Sequence, residues 1–175
     1  MNPLRRMLTI GALALFAYTA FAESTSAADP GAANAALLNK YVAAFNTHDA
    51  APFKDVIAEN YVQHNGRAGQ GLAGLQATAR QYFQTFPDFH MTLEDSVITA
   101  DKVVARFQIT ATHDHPVQLG PNAPLFPPTG KKLSWQGISI WRVADGKFVE
   151  HWDVDDLLGL AQQMRAPAPG ETKQP

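Results

Sequence analysis

Apolar residues recur at helical spacing over residues 32–45, where Ala36, Leu37, Tyr41, Val42 and Phe45 mark one face of an amphipathic helix. Asn46-Thr47-His48-Asp49 ends it. A second short helix is expected over residues 51–59, carrying Phe53, Val56 and Ile57, with Pro52 in its first turn and Asp49 or Ala50 near its cap. Residues 61–64 form a short extended segment, followed by a loop with glycines at 66, 69, 71 and 74. A third helix over residues 75–86 is stopped by Pro87. The period then changes from helical to two. Residues 90–99 and 102–112 alternate as strands, the second with Val103, Ala105, Phe107, Ile109 and Ala111 on one face and Val104, Arg106, Gln108, Thr110 and Thr112 on the other. Ala100-Asp101 turns between them. Five prolines and two glycines in residues 116–130 exclude regular structure there and predict a rim loop.

Residues 131–164 carry the strongest local signal: a strand, an Asp145-Gly146 turn, a second strand and a short helix. Asp-Gly between apolar runs suits a tight hairpin, because both residues tolerate the positive φ that the turn needs. Strand parity places Trp135, Gly137, Ser139 and Trp141 on one face of the first strand. In the second it groups Val149, His151 and Asp153 on one side, and Phe148, Glu150, Trp152 and Val154 on the other. If the faces coincide, His151 and Asp153 look into an aromatic-walled space. A carboxylate deprived of solvent there is poised for proton transfer. Asp155 is expected to cap the last helix, leaving Asp153 for the cavity.

Helices first and long antiparallel strands afterwards argue an α+β fold, not a parallel α/β sheet. The expected architecture is a curved antiparallel sheet whose concave face is covered by the N-terminal helices. Such an arrangement encloses a cone-shaped apolar cavity, a usual ligand site.

Composition sharpens this picture in three ways. At 175 residues, 46% hydrophobic and 17% charged, the chain suits one domain with one core. It has no cysteine, which excludes disulfides, thiolate metal sites and cysteine nucleophiles. Arg5-Arg6, an apolar run over residues 7–21 and Ala20-Phe21-Ala22 predict a secretory signal peptide over residues 1–22. The expected division is therefore a signal peptide (1–22), a flexible leader (23–31), one domain (32–164) and a disordered proline-rich tail (165–175). Cleavage removes two arginines and no acid, taking the formal charge from −2 to −4. The mature chain then has no electrostatic case for nucleic acid and no stable membrane anchor, and the expected location is periplasmic or secreted.

Two motifs weigh less. His113-Asp114-His115 would put two imidazoles on one strand face, as a metal site could require. A third ligand is missing, and Pro116 suggests that the strand is ending, so His113 is read as a pocket residue beside a rim residue, and no metal is expected. The glycine loop does not follow a long apolar strand, which argues against phosphate binding.

The segments Ala44-Phe45-Asn46, Tyr61-Val62-Gln63-His64-Asn65, Pro128-Thr129-Gly130-Lys131, Asp145-Gly146-Lys147 and Glu150-His151-Trp152-Asp153, followed by Asp156-Leu157-Leu158-Gly159-Leu160, together resemble the SnoaL-like polyketide (ester) cyclases of the nuclear transport factor 2-like fold. The resemblance covers about residues 32–164. It implies an α+β cone and acid/base chemistry without metal or cofactor. It places the general acid/base of an intramolecular aldol closure on Asp153, a histidine of the mid-sheet strand on His113, and an asparagine amide on Gln63, one methylene longer here. A further pocket histidine of those enzymes falls on Ser139, which has no imidazole. The export signal is a second departure, because polyketide cyclases work beside cytoplasmic synthases.

Two functions follow as expectations. One is an enzyme that abstracts a proton α to a carbonyl and then cyclises, isomerises or eliminates, with Asp153, His113 and His151 catalytic. Its substrate would lie among Gln63, Tyr61, Phe107, Trp135, Ser139 and Trp141. The other is a non-catalytic carrier of a small apolar molecule in the same cavity. In both cases the partner is a small molecule. A homodimer is also expected, because Glu150, Trp152 and Val154 with Ile138 and Ile140 would otherwise leave an apolar patch on the opposite sheet face.

Overall fold

A computed structural model describes residues 30–120 and 122–165 of the chain. The expected signal peptide, the leader up to residue 29 and the tail from residue 166 lie outside the described residues. Helix α1 (Pro30–Asn46) begins earlier than the apolar pattern suggests, taking Pro30 and Gly31 from the expected leader. Its buried stripe runs through Leu37, Leu38, Tyr41, Ala44 and Phe45. After the four-residue α2 (Phe53–Val56) come β1 (Ile57–Gln63), α3 (Gly71–Thr85), β2 (His90–Ile98) and β3 (Lys102–Thr112). The chain continues through β4 (Val117–Gln118), β5 (Leu125–Phe126), β6 (Lys132–Ala144) and β7 (Lys147–Asp155) to α4 (Leu157–Arg165).

Five strands form one sheet in the order β1-β7-β6-β3-β2. The four long strands pair antiparallel, but β1 lies parallel to β7, so the sheet is mixed and not wholly antiparallel as expected. This pairing also shortens the second helix: Ile57 enters the strand that a helix over residues 51–59 would have claimed. A short apolar run such as Val56-Ile57 does not by itself distinguish helix from strand. Here hydrogen bonding to the last long strand decides it.

Three other expectations change for local reasons. Helix α3 starts four residues early because Gly74 serves packing, not a turn: a Cβ there would sit 2.4 Å from the backbone of Gly69. The proline-rich rim is not wholly irregular, since β4 and β5 pair Val117 with Phe126 and bury both. In β7 the register slips between the Arg142–Glu150 and Val143–Phe148 pairs, leaving Val149 as an extra residue. That bulge returns Phe148 to the core face, fully buried, instead of the outer face with Glu150.

The core lies between α1, α2 and the concave sheet face. Tyr41 reaches from α1 to edge-on contacts with Phe53 (5.6 Å between centroids) and Trp141 (5.0 Å), and Trp141 stacks on Phe148 at 4.9 Å. Aromatic pairs in these geometries add about 0.5–1.5 kcal/mol each beyond area burial. They fill the concave face beside the site, and Tyr41 reaches its wall.

Candidate active site

Two facing rows of side chains build the site. From β6, Trp135, Gly137, Ser139 and Trp141 point inward; from β7, His151, Asp153 and Asp155 do so. The register pairs Trp141 with His151, Ser139 with Asp153 and Gly137 with Asp155. Gly137 leaves room for that carboxylate: a Cβ there would come 2.5 Å from Asp155 Oδ1 and displace it. Together with Tyr41, Phe45, Phe89, Met91, Phe107 and Ile109 these rows, except Trp141, line a cavity of about 100 Å³. One wall is thus aromatic and aliphatic, the other carries the polar groups.

The loop after β1 completes the polar wall. Asn65 Oδ1 accepts the backbone N–H groups of Arg67 and Ala68, and the Gln70 side chain bonds both backbone groups of Gln63. These contacts fix a glycine-flanked loop and deliver two donors to Asp153. The Asn65 amide donates to Oδ1, and Arg67 Nη2 donates to Oδ2 at 2.8 Å. The same Nη2 donates to Asp155 Oδ2 at 3.0 Å. One guanidinium therefore bridges two inward carboxylates. Burial pushes the Asp155 carboxyl above its ordinary value; Arg67 opposes the shift and the neighbouring Asp153 adds to it.

His151 is held on both faces and at one nitrogen. Trp141 stacks on it at 4.8 Å, Tyr61 lies on a roughly parallel plane at 6.1 Å, and Gln63 Nε2 donates to Nδ1 at 2.9 Å. Burial pushes the imidazole down to about 4, against the attraction of Asp153, whose Oδ1 is 3.8 Å from Nδ1. The ring is accordingly neutral at pH 7. With Nδ1 accepting, its proton sits on Nε2. That buried Nε2 has no hydrogen-bond partner among the described residues, an unsatisfied donor in a ring that lines the cavity.

The structure brings Asp153, His151, Gln63, Phe107, Trp135 and Ser139 together around the cavity. Tyr61 and Trp141 stand behind the lining, against His151. Burial keeps the Tyr61 hydroxyl protonated, raised far above its ordinary value. His113 is not brought to the cavity. It follows the end of β3 and is wholly buried, with Nδ1 3.0 Å from the Thr129 hydroxyl and its carbonyl accepting from the N–H groups of Thr129 and Gly130. It anchors the rim loop, and burial lowers its pKa. His115 is exposed, and the described residues hold no group of three or more His, Asp or Glu placed for a metal.

Sequence reasoning misassigned Asp155 and missed Asn65 and Arg67. The cap of α4 is Asp156, which accepts the Gly159 N–H at 2.8 Å, while Asp155 lines the cavity. Parity alone could have found Asp155, two residues beyond Asp153. Asn65 and Arg67 sit in a loop, where no period marks an inward side chain.

The sequence model of the SnoaL-like polyketide cyclases matches residues 35–164. The chain belongs to this family. Solved structures agree. This SnoaL-like chain is 32% identical to TsrD from Streptomyces laurentii, over 77% of its own length and 96% of TsrD, with a TM-score of 0.69. It is 28% identical to AclR from Streptomyces galilaeus, a proposed hydroxylase, over 77% and 96% of the two chains (TM-score 0.65). It is also 26% identical to IdmH from Streptomyces antibioticus, a proposed polyketide cyclase, over 75% and 98% (TM-score 0.64). No curated protein sequence matches it. The fold is the α+β cone of these relatives, and the family's activity is of cyclase type on small molecules.

Proposed function

We propose that this SnoaL-like protein removes a proton from the carbon next to a carbonyl in a small molecule, with Asp153 as the base. The C–H electrons move into the C–C bond and the carbonyl becomes an enolate. His151 Nε2–H donates to the oxygen on which the charge develops, and Gln63 holds the ring in the tautomer that makes this possible. The enolate carbon then attacks a second carbonyl of the same molecule, and Asp153 returns its proton to the new alkoxide. Isomerisation or elimination would use the same first step.

The observation that carries this reading is the pairing of a cavity carboxylate, Asp153, with a neutral imidazole whose Nδ1 is fixed and whose Nε2–H is unsatisfied. A carrier has less use for a carboxylate and a neutral imidazole donor in the lining of one cavity. Yet Asn65 and Arg67 engage both oxygens of Asp153, an observation that favours a carrier if no chemistry occurs. The test is exchange of the α-hydrogens of 1-tetralone, a neutral aryl ketone, for deuterium in D2O, followed by NMR. Exchange faster than buffer alone supports the enzyme; binding without exchange leaves the carrier.

Two further parts belong to the same proposal. The protein acts outside the cytoplasm, supported by the leader sequence, and the form recovered from its native host should begin near Glu23. It also acts as a homodimer through the convex sheet face, where Ile138 (48%), Trp152 (38%) and Val154 (75%) stand exposed.

A further inference from the structure

A second cavity of about 450 Å³ lies between α3, the β4–β5 hairpin and α4. It shares Arg67, Thr78, Tyr82, Trp135 and Asp155 with the inner one. These five residues are therefore the partition between an inner chamber holding Asp153 and a larger outer chamber. An apolar cavity of about 150 Å³ is enough for benzene, so the inner chamber is too small for a substrate of more than one ring. Ligand sites usually offer about 300–1,000 Å³, a size reached only when the outer chamber contributes. A molecule of more than one ring that presents its carbonyl to Asp153 therefore spans the partition, and the ion pair of Arg67 and Asp155 lies in it.

Arg67 also occupies one oxygen of Asp153. Its Nη2 alone donates to both carboxylates, at 2.8 Å to Asp153 and 3.0 Å to Asp155. Moving off Asp153 costs the guanidinium only one of two equivalent partners, because Asp155 stays in place to neutralise it. We propose that Arg67 is the latch of the site: as substrate crosses from the outer chamber it leaves Asp153 Oδ2 and is held by Asp155 alone, freeing that oxygen to accept the α-proton. Asp155 is thus a positioning residue that acts through Arg67. This inference rests on the reading of Asp153 as the base.

Charge counting gives the latch a signature that a structural ion pair lacks. Asp153, Arg67 and Asp155 together carry one net negative charge when both acids are ionised. Asp155→Asn leaves Arg67 an amide oxygen in place of its second carboxylate, so the guanidinium charge is held by Asp153 alone and the lock tightens. Adding Arg67→Gln removes the lock and restores the single negative charge of the base.

The experiment uses the full protein with 1-tetralone, measuring α-deuterium exchange by NMR and binding by calorimetry, after thermal unfolding has shown each variant folded. Asp155→Asn should exchange at least tenfold more slowly and bind at least tenfold more weakly than wild type, and Arg67→Gln/Asp155→Asn should recover most of both losses. Wild-type behaviour in Asp155→Asn, or a double variant no better than the single one, overturns the latch. Binding without any exchange in wild type removes the proposed chemistry and, with it, the latch that rests on it. A wild-type protein that neither binds nor exchanges the ketone overturns both.

Discussion

His151 lies flat against Trp141, their ring centroids 4.8 Å apart and their planes 4° from parallel, as cross-strand neighbours in the β6–β7 hairpin. The indole removes water from one face of the imidazole, and burial is the main reason for its lowered pKa. A neutral donor is what an enolate-forming site can use at pH 7, because it stabilises charge on oxygen without giving up its proton to Asp153 beforehand.

The same burial predicts a pH dependence of stability. The folded value of about 4 lies below the ordinary 6.5, so between these pH values the unfolded chain binds a proton that the folded chain refuses. The stability linked to His151 is full above pH 6.5 and is lost as pH falls toward 4, with about 2 kcal/mol gone by pH 5. Asp155 runs the other way. Its folded value is raised above 3.8, so its contribution is present below that pH and is lost as pH rises. His151→Gln removes the first effect and keeps the second. The stability difference between wild type and variant, from urea unfolding, should therefore shift by about 2 kcal/mol against wild type between pH 7 and pH 5; a constant difference would mean that the ring is not buried neutral.

Gly137→Ala should damage both stability and the site. The new Cβ would sit 2.5 Å from Asp155 Oδ1, so the carboxylate must shift and its bond to Arg67 is disturbed. Overpacking of this kind costs about 1–3 kcal/mol. Thermal unfolding should show a fall of several degrees, with slower tetralone exchange at temperatures where the variant is fully folded. Gly146→Ala is the comparison for the fold alone: its positive φ of 69° strains the β6–β7 turn without touching the cavity.

Trp152→Glu should separate the proposed dimer. Trp152 stacks on His64 at 4.6 Å on the convex face, beside the exposed Ile138, Ile140 and Val154. A carboxylate there would have to lose its water in any apolar interface. Light scattering at micromolar concentration should give a dimeric mass for wild type and a monomeric mass for the variant. A monomeric wild type would leave the patch without a partner copy.

Local signals made much of this legible. The Asp145-Gly146 turn and two-residue period fixed the β6–β7 hairpin, and β3 runs over the predicted residues 102–112. The row from Trp135 to Trp141 and the His151–Asp153 pair could be seen facing each other because both follow from parity. Contacts without a local period stayed hidden. β1 joins a strand some 90 residues later in parallel, and Arg67 meets Asp153 across 86 residues from an irregular loop. The Val149 bulge broke parity and moved Phe148 to the core, since one extra residue reverses every side chain beyond it. Asp155 was mistaken for a cap because Asp155 and Asp156 stand side by side before the helix and either suits that place in isolation. His113 was read as a pocket residue, the place the family resemblance gives it, but β3 ends at Thr112 and the ring lies against Thr129 of the rim loop.

The central claim is that Asp153 takes the α-proton. Asp153→Asn keeps the size of the side chain and an oxygen for Asn65 and Arg67, but loses the ability to accept a proton. The decisive measurement is the rate of α-deuterium exchange of 1-tetralone, followed by NMR, in wild type, Asp153→Asn and Asp156→Asn. The last preserves the cap of α4 outside the cavity and should match wild type. Asp153→Asn should remain folded, still bind the ketone by calorimetry, and exchange about 10²-fold or more slowly than wild type. A folded Asp153→Asn protein that exchanges at the wild-type rate would contradict it.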